Sequence, residues 1–420
     1  MNEQERVILA IDLKSFYASV ECVYRGLDPF SVPLVVADDS RGDGTIVLAA
    51  SPYIKKKYGV KSRCRLYEVP KDIPGLLIAP PNMALYLKVS AAINDLYLDY
   101  VDRKDLYVYS IDESFLDCTR YLSCHRDTPR SYAEKILKDV RHRTGLTVTA
   151  GIGTNLFMAK AAMDIEAKHR EDCLAQWDAS SIPEHLWPVA PLSKMWGIGS
   201  RLEKKLNAWG FHCVGDIAVC DRALLKRRIG TIGEEIYEHA WGRDDAVIQN
   251  PYQSPEHTLS VGQVLLRDYS REEMPTVIRD MADELSDRLY EESAWTASFA
   301  LYVGYKDHTG FGRKFGFELP TRDRTRIGRE AVNAFLRSTP LDSPFFREVS
   351  LLAFDVYPAD GPVQLSLFSS PHSEEEEENL TTAVREIRRR YGVAKAMPLR
   401  ALTLSSTFLA RQSQIGGHQR

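Results

Sequence analysis

Two stretches decide the fold: residues 7–21, VILAIDLKSFYASVE, and residues 106–117, LYVYSIDESFLD. In the first, a short apolar run stops at Asp12 and gives way to apolar residues at helical spacing. In the second, two strand-like runs are separated only by Ile111, Asp112 and Glu113, which predicts a hairpin. The first stretch therefore predicts a strand followed by a helix, and the second a pair of antiparallel strands.

The elements around these stretches complete a recognisable order. An amphipathic helix with Leu85 and Leu96 on one stripe precedes the hairpin, and a helix over about 129–143, a strand over 147–152 and a helix over about 155–168 follow it. Residues 34–81 form a small insert with short strand candidates and a basic helix. Without the insert the order is β-α-β-β-α-β, which is typical of a ferredoxin-like sheet.

This topology has a consequence for three carboxylates. The first and third strands lie side by side and antiparallel, so Asp12 is expected next to Asp112 and Glu113 at one sheet edge. Ionised carboxylates packed together repel one another unless a cation lies between them. Oxygen ligands favour Mg²⁺, and two such ions can assist phosphoryl transfer. From these residues alone, a nucleotide cyclase is an alternative, because cyclases use a similar sheet and set of acids.

The rest of the chain changes character twice. Residues from about 173 to 245 are predicted to be wholly helical, with a tight turn at Gly197-Ile198-Gly199. After a Pro-containing linker, residues 258–358 alternate strand and helix candidates, which predicts a separate α+β domain. Beyond residue 358 the sequence turns polar and contains five consecutive Glu at 374–378, for which we expect a solvated tail.

Composition excludes several classes of protein. The 420 residues carry 54 Lys plus Arg against 58 Asp plus Glu, a formal net charge of −4, so overall charge indicates no particular partner. Seven scattered Cys without a CxxC pair argue against a disulfide framework or a zinc ribbon. The sequence shows neither a signal peptide nor an apolar run long enough to span a membrane. We therefore expect a reduced, cytoplasmic, multidomain protein without membrane contact.

Three segments carry a family resemblance: IDLKSFYASVE at 11–21, SIDESFLD at 110–117 and TVTAGIGTNLFMAK at 147–160. They resemble the palm motifs of the Y-family, the translesion DNA polymerases. The resemblance extends over roughly residues 7–360 and is greatest to the Gram-positive bacterial branch, akin to the catalytic subunit of the SOS mutagenesis polymerase.

The resemblance implies an α+β, multidomain fold: a ferredoxin-like palm with small fingers, a helical thumb carrying a helix-hairpin-helix, and a separate α+β little finger. The expected bounds are palm 1–25 and 82–172, fingers 26–81, thumb 173–247, little finger 248–360 and a tail with a clamp-binding motif at 361–420.

The resemblance also implies site roles. Asp12 and Asp112 are expected to bridge two Mg²⁺ ions, Glu113 to bind the ion at the primer 3′-OH, and the Leu13 carbonyl to complete the nucleotide-side ion. Tyr17 falls on the steric gate that excludes a ribose 2′-OH. The residues expected at the triphosphate are Tyr53, Lys56 and Lys168.

Two departures from the family pattern affect the nucleotide pocket. Position 56 is Lys where many relatives have Arg, which keeps the charge and gives up bidentate geometry. Arg63 occupies a position that is usually a small residue over the nascent base pair.

Two regions are predicted to bind DNA. Gly197 and Gly199 would let backbone N–H groups approach a phosphate, with Lys204 and Lys205 adding charge. Residues 312–329 contain six basic and two acidic residues, a net charge of +4. Segregated charge of this kind reconciles a −4 chain with binding to phosphates. The basic residues expected at DNA are Arg313, Lys314, Arg322, Arg324 and Arg326.

A short motif, Gln364-Leu365-Ser366-Leu367-Phe368, matches the bacterial sliding-clamp-binding peptide QLxLF. Leu365, Leu367 and Phe368 offer apolar anchors, and Gln364 offers a directional hydrogen bond. An edge strand is the structural alternative.

These observations predict a template-directed DNA polymerase for translesion synthesis, within DNA repair and the SOS response to DNA damage. The expected requirements are two Mg²⁺ ions, dNTPs and primed template DNA, and the expected state is a monomer. The sliding clamp is a predicted partner, and a recombinase filament or an accessory subunit is left open. The competing class is a non-catalytic DNA-binding accessory protein, against which the intact set of Asp12, Asp112, Glu113 and Tyr17 argues.

Overall fold

The structure, a computed structural model, describes residues 6–125, 127–250, 257–358 and 371–419. The chain divides into two compact units, Met1–Tyr252 and Gln253–Arg420. Among the residues that the structure describes, no helix is both long and apolar enough to cross a membrane.

The first unit contains eight strands and ten α-helices within its described residues. The strands are β1 (Ile8–Leu13), β2 (Leu34–Val36), β3 (Ala49–Ala50), β4 (Leu77–Ala79), β5 (Leu106–Val108), β6 (Glu113–Asp117), β7 (Val148–Gly153) and β8 (Leu174–Gln176). The helices are α1 (Phe16–Tyr24), α2 (Pro52–Tyr58), α3 (Met83–Tyr97), α4 (Thr119–His125), α5 (Pro129–Thr144), α6 (Leu156–Ala161), α7 (Ser200–Ala208), α8 (Val214–Ala218), α9 (Arg222–Ile229) and α10 (Thr231–Ala240).

The main sheet of this unit has the order β5-β6-β1-β7-β8. Strand β1 lies between β6 and β7 and is antiparallel to both. Strands β5 and β6 pair as the predicted hairpin, with Leu106 opposite Leu116. The β-α-β-β-α-β order is therefore confirmed, with β1 in the interior of the sheet.

The prediction that residues 173–245 are wholly helical is wrong at the start of this region. Strand β8 pairs in parallel with β7, and Ala150 N and Trp177 N donate hydrogen bonds to the Cys173 and Ile152 carbonyl oxygens, each at 2.9 Å. Strand β8 has only three residues, which are too few to show an alternating pattern. Its position is therefore set by hydrogen bonds to β7 and not by its own sequence.

The insert forms its own small sheet, in the order β3-β2-β4, with α2 packed through buried Ile54. Of the apolar run TIVLAA at residues 45–50, one of the strand candidates in the insert, only Ala49 and Ala50 belong to β3. In the helical region, a single 3₁₀ turn at Leu192–Lys194 precedes the Gly197–Gly199 turn, where a full helix was expected.

The second unit is an α+β domain with further helices after it. Its strands are β9 (Leu259–Tyr269), β10 (Ala294–Tyr305), β11 (Gly310–Thr321), β12 (Phe346–Phe354), β13 (Tyr357–Pro358), β14 (Gln414–Ile415) and β15 (His418–Gln419). Its helices are α11 (Met274–Glu291), α12 (Arg324–Ser338), α13 (Pro371–Tyr391) and α14 (Phe408–Gln412). The sheet order is β11-β10-β12-β9, and buried residues of α11 and α12 share one core with it.

The C-terminal part of the chain packs on helix α11. The Arg400 guanidinium pairs with Asp280 and Asp283, which are only 3% and 4% exposed. Arg388, itself buried, pairs with Asp287 at 3.0 Å. The Glu run at 374–378, for which a solvated tail was expected, lies within α13. These ion pairs join residues about a hundred positions apart, so no local pattern predicts them.

Arg400→Ala should lower the free energy of unfolding of the second unit by about 3 kcal/mol, because it leaves two buried carboxylates without their cation. Burial already raises the pKa of Asp283, and Arg400 opposes that rise. Without Arg400 the folded-state pKa of Asp283 rises further above its unfolded value. The free energy of unfolding therefore decreases as the pH increases from the unfolded-state pKa to the folded-state pKa. The loss should therefore be larger at about pH 7 than at about pH 5.

The measurement is chemical denaturation at both pH values, with Arg389→Ala as the control, since the Arg389 side chain is 73% exposed. Equal midpoints for Arg400→Ala and wild type would show that these pairs do not hold the C-terminal segment.

Candidate active site

Three carboxylates meet at the edge of the main sheet where β1 ends and β6 begins. Asp12 lies opposite Glu113 in the strand register, and Leu13 N donates a 2.9 Å hydrogen bond to the Asp112 carbonyl oxygen. Glu113 is buried, and Asp12 and Asp112 are half-buried. The structure thus brings together the three acids that the topology placed there.

Two lysines link these acids through a fourth carboxylate. Lys160 Nζ lies 2.7 Å from Glu113 Oε1 and 3.0 Å from Asp164 Oδ2. Lys168 Nζ lies 2.7 Å from Asp164 Oδ1 and 3.4 Å from Asp12 Oδ2. Lys168 was predicted from the sequence, whereas Lys160 and Asp164 were not. Their signal was the four-residue spacing, which places charged side chains on one helical face.

The local backbone explains how these side chains reach the acids. Helix α6 begins at an Asn155 cap, whose Oδ1 accepts from Met158 N at 2.8 Å. It continues as a π turn over Ala162–Glu166 and a 3₁₀ turn over Ala167–His169. A Cβ on Gly151 of β7 would lie 2.1 Å from the Ala159 carbonyl oxygen. Glycine at that position therefore lets α6 lie directly on the sheet.

The electrostatics of the edge favour added positive charge. Burial raises the pKa of Asp12; Lys168 opposes this rise and Asp112 adds to it. Burial also raises the pKa of Glu113, against the effect of Lys160. Burial lowers the pKa of Lys168, but the nearby carboxylates of Asp12 and Asp164 outweigh it and the net shift is upward.

The donor set is consistent with a hard cation, since carboxylate and carbonyl oxygens are the ligands that Mg²⁺ prefers. Within the described ranges, however, no three Asp, Glu, His or Cys side chains are already arranged closely enough to hold a metal ion. Two of the three acids instead pair with Lys160 and Lys168. The residues fit the cation by their chemistry and burial, and a cation would compete with these lysines for Glu113 and Asp12.

Tyr17 is the second residue of α1, five positions after Asp12. Its ring is half-buried and stacks on the ring of Tyr86. Burial raises the pKa of Tyr17, Asp112 raises it further and Arg63 opposes them. The charges of Asp112 and of Arg63, which belongs to the insert, therefore both act on Tyr17.

Tyr53, Lys55 and Lys56 lie on helix α2 of the insert and differ in their exposure and hydrogen-bond partners. Lys56 is exposed, and the Tyr53 hydroxyl accepts a 2.8 Å hydrogen bond from Lys57 Nζ. Lys55, which was not predicted from the sequence, reaches the residue that precedes α1, where its Nζ donates to Ser15 Oγ at 2.9 Å. Burial lowers the pKa of Lys55, and Asp12 opposes this effect.

The predicted helix-hairpin-helix lies in the same unit. Gly197 has φ of +91° and Gly199 immediately precedes α7, on which Lys204 and Lys205 are exposed. This turn, with the rest of residues 193–199, lines one side of a cavity of about 480 Å³. Tyr109, Lys160 and Asp164 also line the cavity, and the two charged residues belong to the chain of ion pairs that contacts the site acids.

The basic residues of the second unit divide into two groups. Arg313 and Lys314 are exposed on β11. Arg322 lies over the rings of Tyr290 and Trp295, with its Cζ 4.1 and 4.4 Å from their centroids. Arg324 pairs with Asp287 at 3.3 Å, and Arg326 lies over Phe317. The two exposed residues also make contacts within the domain, since Arg313 lies over the Phe311 ring and Lys314 over the Phe354 ring, each at 5.5 Å. All five predicted DNA contacts therefore also have partners in their own domain. The clamp-binding motif at 364–368 lies outside the described residues.

Comparisons with known proteins agree with these features. The impB/mucB/samB family model matches residues 11–164, its HHH motif model residues 179–211 and its C-terminal domain model residues 256–367. UvrX of Bacillus subtilis (strain 168), whose name assigns it to UV-damage repair, is 36% identical over 98% of this chain and 97% of its own. DNA polymerase IV 2 of the same strain is 28% identical over 99% of both chains. A solved Y-family DNA polymerase chimera of Dbh and Dpo4 shares the fold, with a TM-score of 0.67, 20% identity and coverage of 84% of this chain and 99% of its own.

Proposed function

The chain belongs to the impB/mucB/samB family, the Y-family of DNA polymerases that copy past damaged bases, and we propose that it performs this synthesis by two-metal-ion nucleotidyl transfer at Asp12, Asp112 and Glu113. The observation that carries the proposal is the convergence of these acids at one sheet edge, on the family motifs and next to Lys160 and Lys168. Its substrates are primed template DNA and dNTPs.

Asp12, Asp112 and Glu113 would hold two Mg²⁺ ions together with the Leu13 carbonyl, as the family pattern implies. Bound Mg²⁺ activates the attacking oxygen and stabilises the charge on the leaving one. The role of the protein is to fix this oxygen donor set on adjacent strands, where the backbone hydrogen bond between Leu13 and Asp112 leaves little freedom.

The nucleotide would be held from both sides of the site. Lys168 neutralises the triphosphate from the sheet edge, and Tyr53 and Lys56 contact it from α2. Lys55 adds a further positive charge near Asp12, whose carboxylate partly offsets the lowering of the Lys55 pKa by burial. Tyr17 packs against the deoxyribose and leaves no room for a 2′-OH.

We predict that Asp12→Ala, Asp112→Ala and Glu113→Ala each reduce Mg²⁺-dependent primer extension by at least about a hundredfold, because each removes a ligand that stabilises charge in the transition state. DNA affinity, measured by fluorescence anisotropy, should remain near wild type. Asp95→Ala, which removes an exposed carboxylate on α3, is the matched control. A variant that retains wild-type kcat would exclude its residue from the site.

DNA would be bound at two surfaces. Backbone N–H groups of the Gly197–Gly199 turn, with Lys204 and Lys205, are suited to phosphates, since contacts of this type position DNA without reading its sequence. In the second unit, Arg313 and Lys314 are the most exposed of the predicted contacts. Arg322, Arg324 and Arg326 would contribute charge while they also hold their own domain together.

If these lysines contact phosphates, Lys204→Ala with Lys205→Ala should weaken binding to all sequences alike. The slope of log K against log salt concentration should become shallower by about one unit for each phosphate that the protein no longer neutralises. Lys71→Ala is the control, since that side chain is 79% exposed and pairs with Asp43. An unchanged slope would assign Lys204 and Lys205 to the solvated surface.

Recruitment by the sliding clamp is proposed from the sequence of Gln364, Leu365, Leu367 and Phe368. Leu367→Ala with Phe368→Ala removes two apolar anchors, each worth about 1.5 to 3 kcal/mol when fully buried. Binding to the clamp should therefore fall at least about tenfold, while distributive synthesis on a short primer persists. Surface plasmon resonance on immobilised clamp measures the first and primer extension without clamp the second.

Ser369→Ala, one position beyond the motif, serves as the control for this segment. Two results would contradict the proposal: unchanged clamp affinity in the double variant, or a lowered thermal midpoint showing that the two side chains belong to a folded core.

A further inference from the structure

The ring of Tyr17 is backed by a second tyrosine. The centroids of Tyr17 and Tyr86 are 4.6 Å apart with an interplanar angle of 21°, a stacked arrangement. Tyr86 lies on α3 and is fully buried, whereas Tyr17 is half-buried. One face of the Tyr17 ring therefore rests on a side chain that has little freedom of its own. The neighbouring Phe16 ring makes an edge contact with Tyr86 at 6.4 Å.

Tyr86 is in turn fixed by a buried carboxylate. Its hydroxyl donates a 2.6 Å hydrogen bond to Glu21 Oε1, and Glu21 is only 3% exposed. The Arg25 guanidinium pairs with the second oxygen of Glu21 and donates to the Glu21 carbonyl at 3.0 Å. Burial raises the pKa of Tyr86, and the hydrogen bond to Glu21 raises it further, so the hydroxyl keeps its proton.

These contacts close a loop between two helices. Tyr17 and Glu21 both lie on α1, four residues apart and therefore on one face of the helix. Tyr86 reaches from α3 to both of them, stacking on the first and bonding to the second. If the Tyr17 ring rotated away from this position, it would lose its stacking contact with Tyr86. The Tyr86 ring could move with it only by breaking the hydrogen bond to Glu21.

We propose that Tyr86 is a positioning residue for sugar discrimination, acting through Tyr17. The inference rests on the proposed role of Tyr17 as the gate against a ribose 2′-OH. A steric gate discriminates only if the excluding ring cannot move by the width of a hydroxyl, so its selectivity depends on what stands behind it. In this chain the stacked ring of Tyr86 and its bond to Glu21 provide that support.

The test uses the full chain on primed DNA with single-nucleotide insertion of a dNTP and of the matching rNTP. Tyr86→Leu removes the stacked ring but keeps an apolar side chain, and Tyr86→Phe keeps the ring but removes the bond to Glu21. We expect Tyr86→Leu to raise the rNTP to dNTP ratio of kcat/KM by about tenfold, and Tyr86→Phe to raise it by a smaller factor. Both changes should arise mainly from better use of rNTP, with dNTP insertion reduced less.

A double-variant cycle separates positioning from core packing. If Tyr86 acts through Tyr17, then Tyr86→Leu added to Tyr17→Ala should leave the rNTP to dNTP ratio of Tyr17→Ala unchanged, because there is no ring left to position. Tyr132→Leu and Tyr132→Phe are matched controls: Tyr132 is also a buried tyrosine of the first unit, and its hydroxyl donates to the Tyr100 carbonyl at 2.6 Å. They should lower the thermal midpoint without altering the ratio.

Two results would overturn the inference. One is a wild-type ratio in both Tyr86 variants alongside a raised ratio in Tyr17→Ala. The other is a full additive effect of Tyr86→Leu in the Tyr17→Ala background. An unchanged ratio in Tyr17→Ala itself would instead contradict the proposed role of Tyr17, so failure of the two ideas can be distinguished. If Tyr86→Leu does not fold, Tyr86→Phe alone decides between a raised and an unchanged ratio.

Discussion

Helix α6 lies against strand β7 at a distance that only glycine on the strand permits. A Cβ on Gly153 would meet Ala159 N at 2.3 Å, and one on Gly151 would meet the Ala159 carbonyl oxygen at 2.1 Å. Because β7 pairs with β1, and β1 with β6, this contact fixes the helix relative to the acids on both other strands. Lys160 and the residues after it reach the carboxylates only because the two backbones approach so closely.

The fold was largely predictable from the sequence because its main sheet is built from short apolar runs with clear turn signals. The hairpin and the central position of β1 followed from those runs and from topology rules alone. Strand β8 could not be predicted, since three residues carry no period and the hydrogen bonds that define it come from β7. The packing of Arg388 and Arg400 on α11 depends in the same way on partners far away in sequence.

The candidate site also contains some residues that the sequence predicts and others that depend on partners far away in the chain. Asp12 and Glu113 were predictable as neighbours because strand register is a property of the topology. Tyr17 was selected only from its position in a family motif, and its role stays a prediction. Lys160 and Asp164 were visible as a four-residue spacing, but the same spacing is common on solvated helices. Only the structure distinguishes a buried ion pair from a surface one. For Lys55 the decisive fact is its contact with Ser15, forty residues earlier in the chain, which no sequence pattern contains.

The charges at this sheet edge alternate in sign but do not balance, because three carboxylates face two ammonium groups. Glu113, Lys160, Asp164, Lys168 and Asp12 alternate in sign along a chain of contacts between 2.7 and 3.4 Å. A bound triphosphate would add several negative charges, and Lys168 in its proposed role would meet them by weakening its contact with Asp12. The carboxylate released in this way needs a new cation, since burial penalises its charged form. Nucleotide and divalent cation binding are therefore expected to be coupled at this edge, each favouring the other.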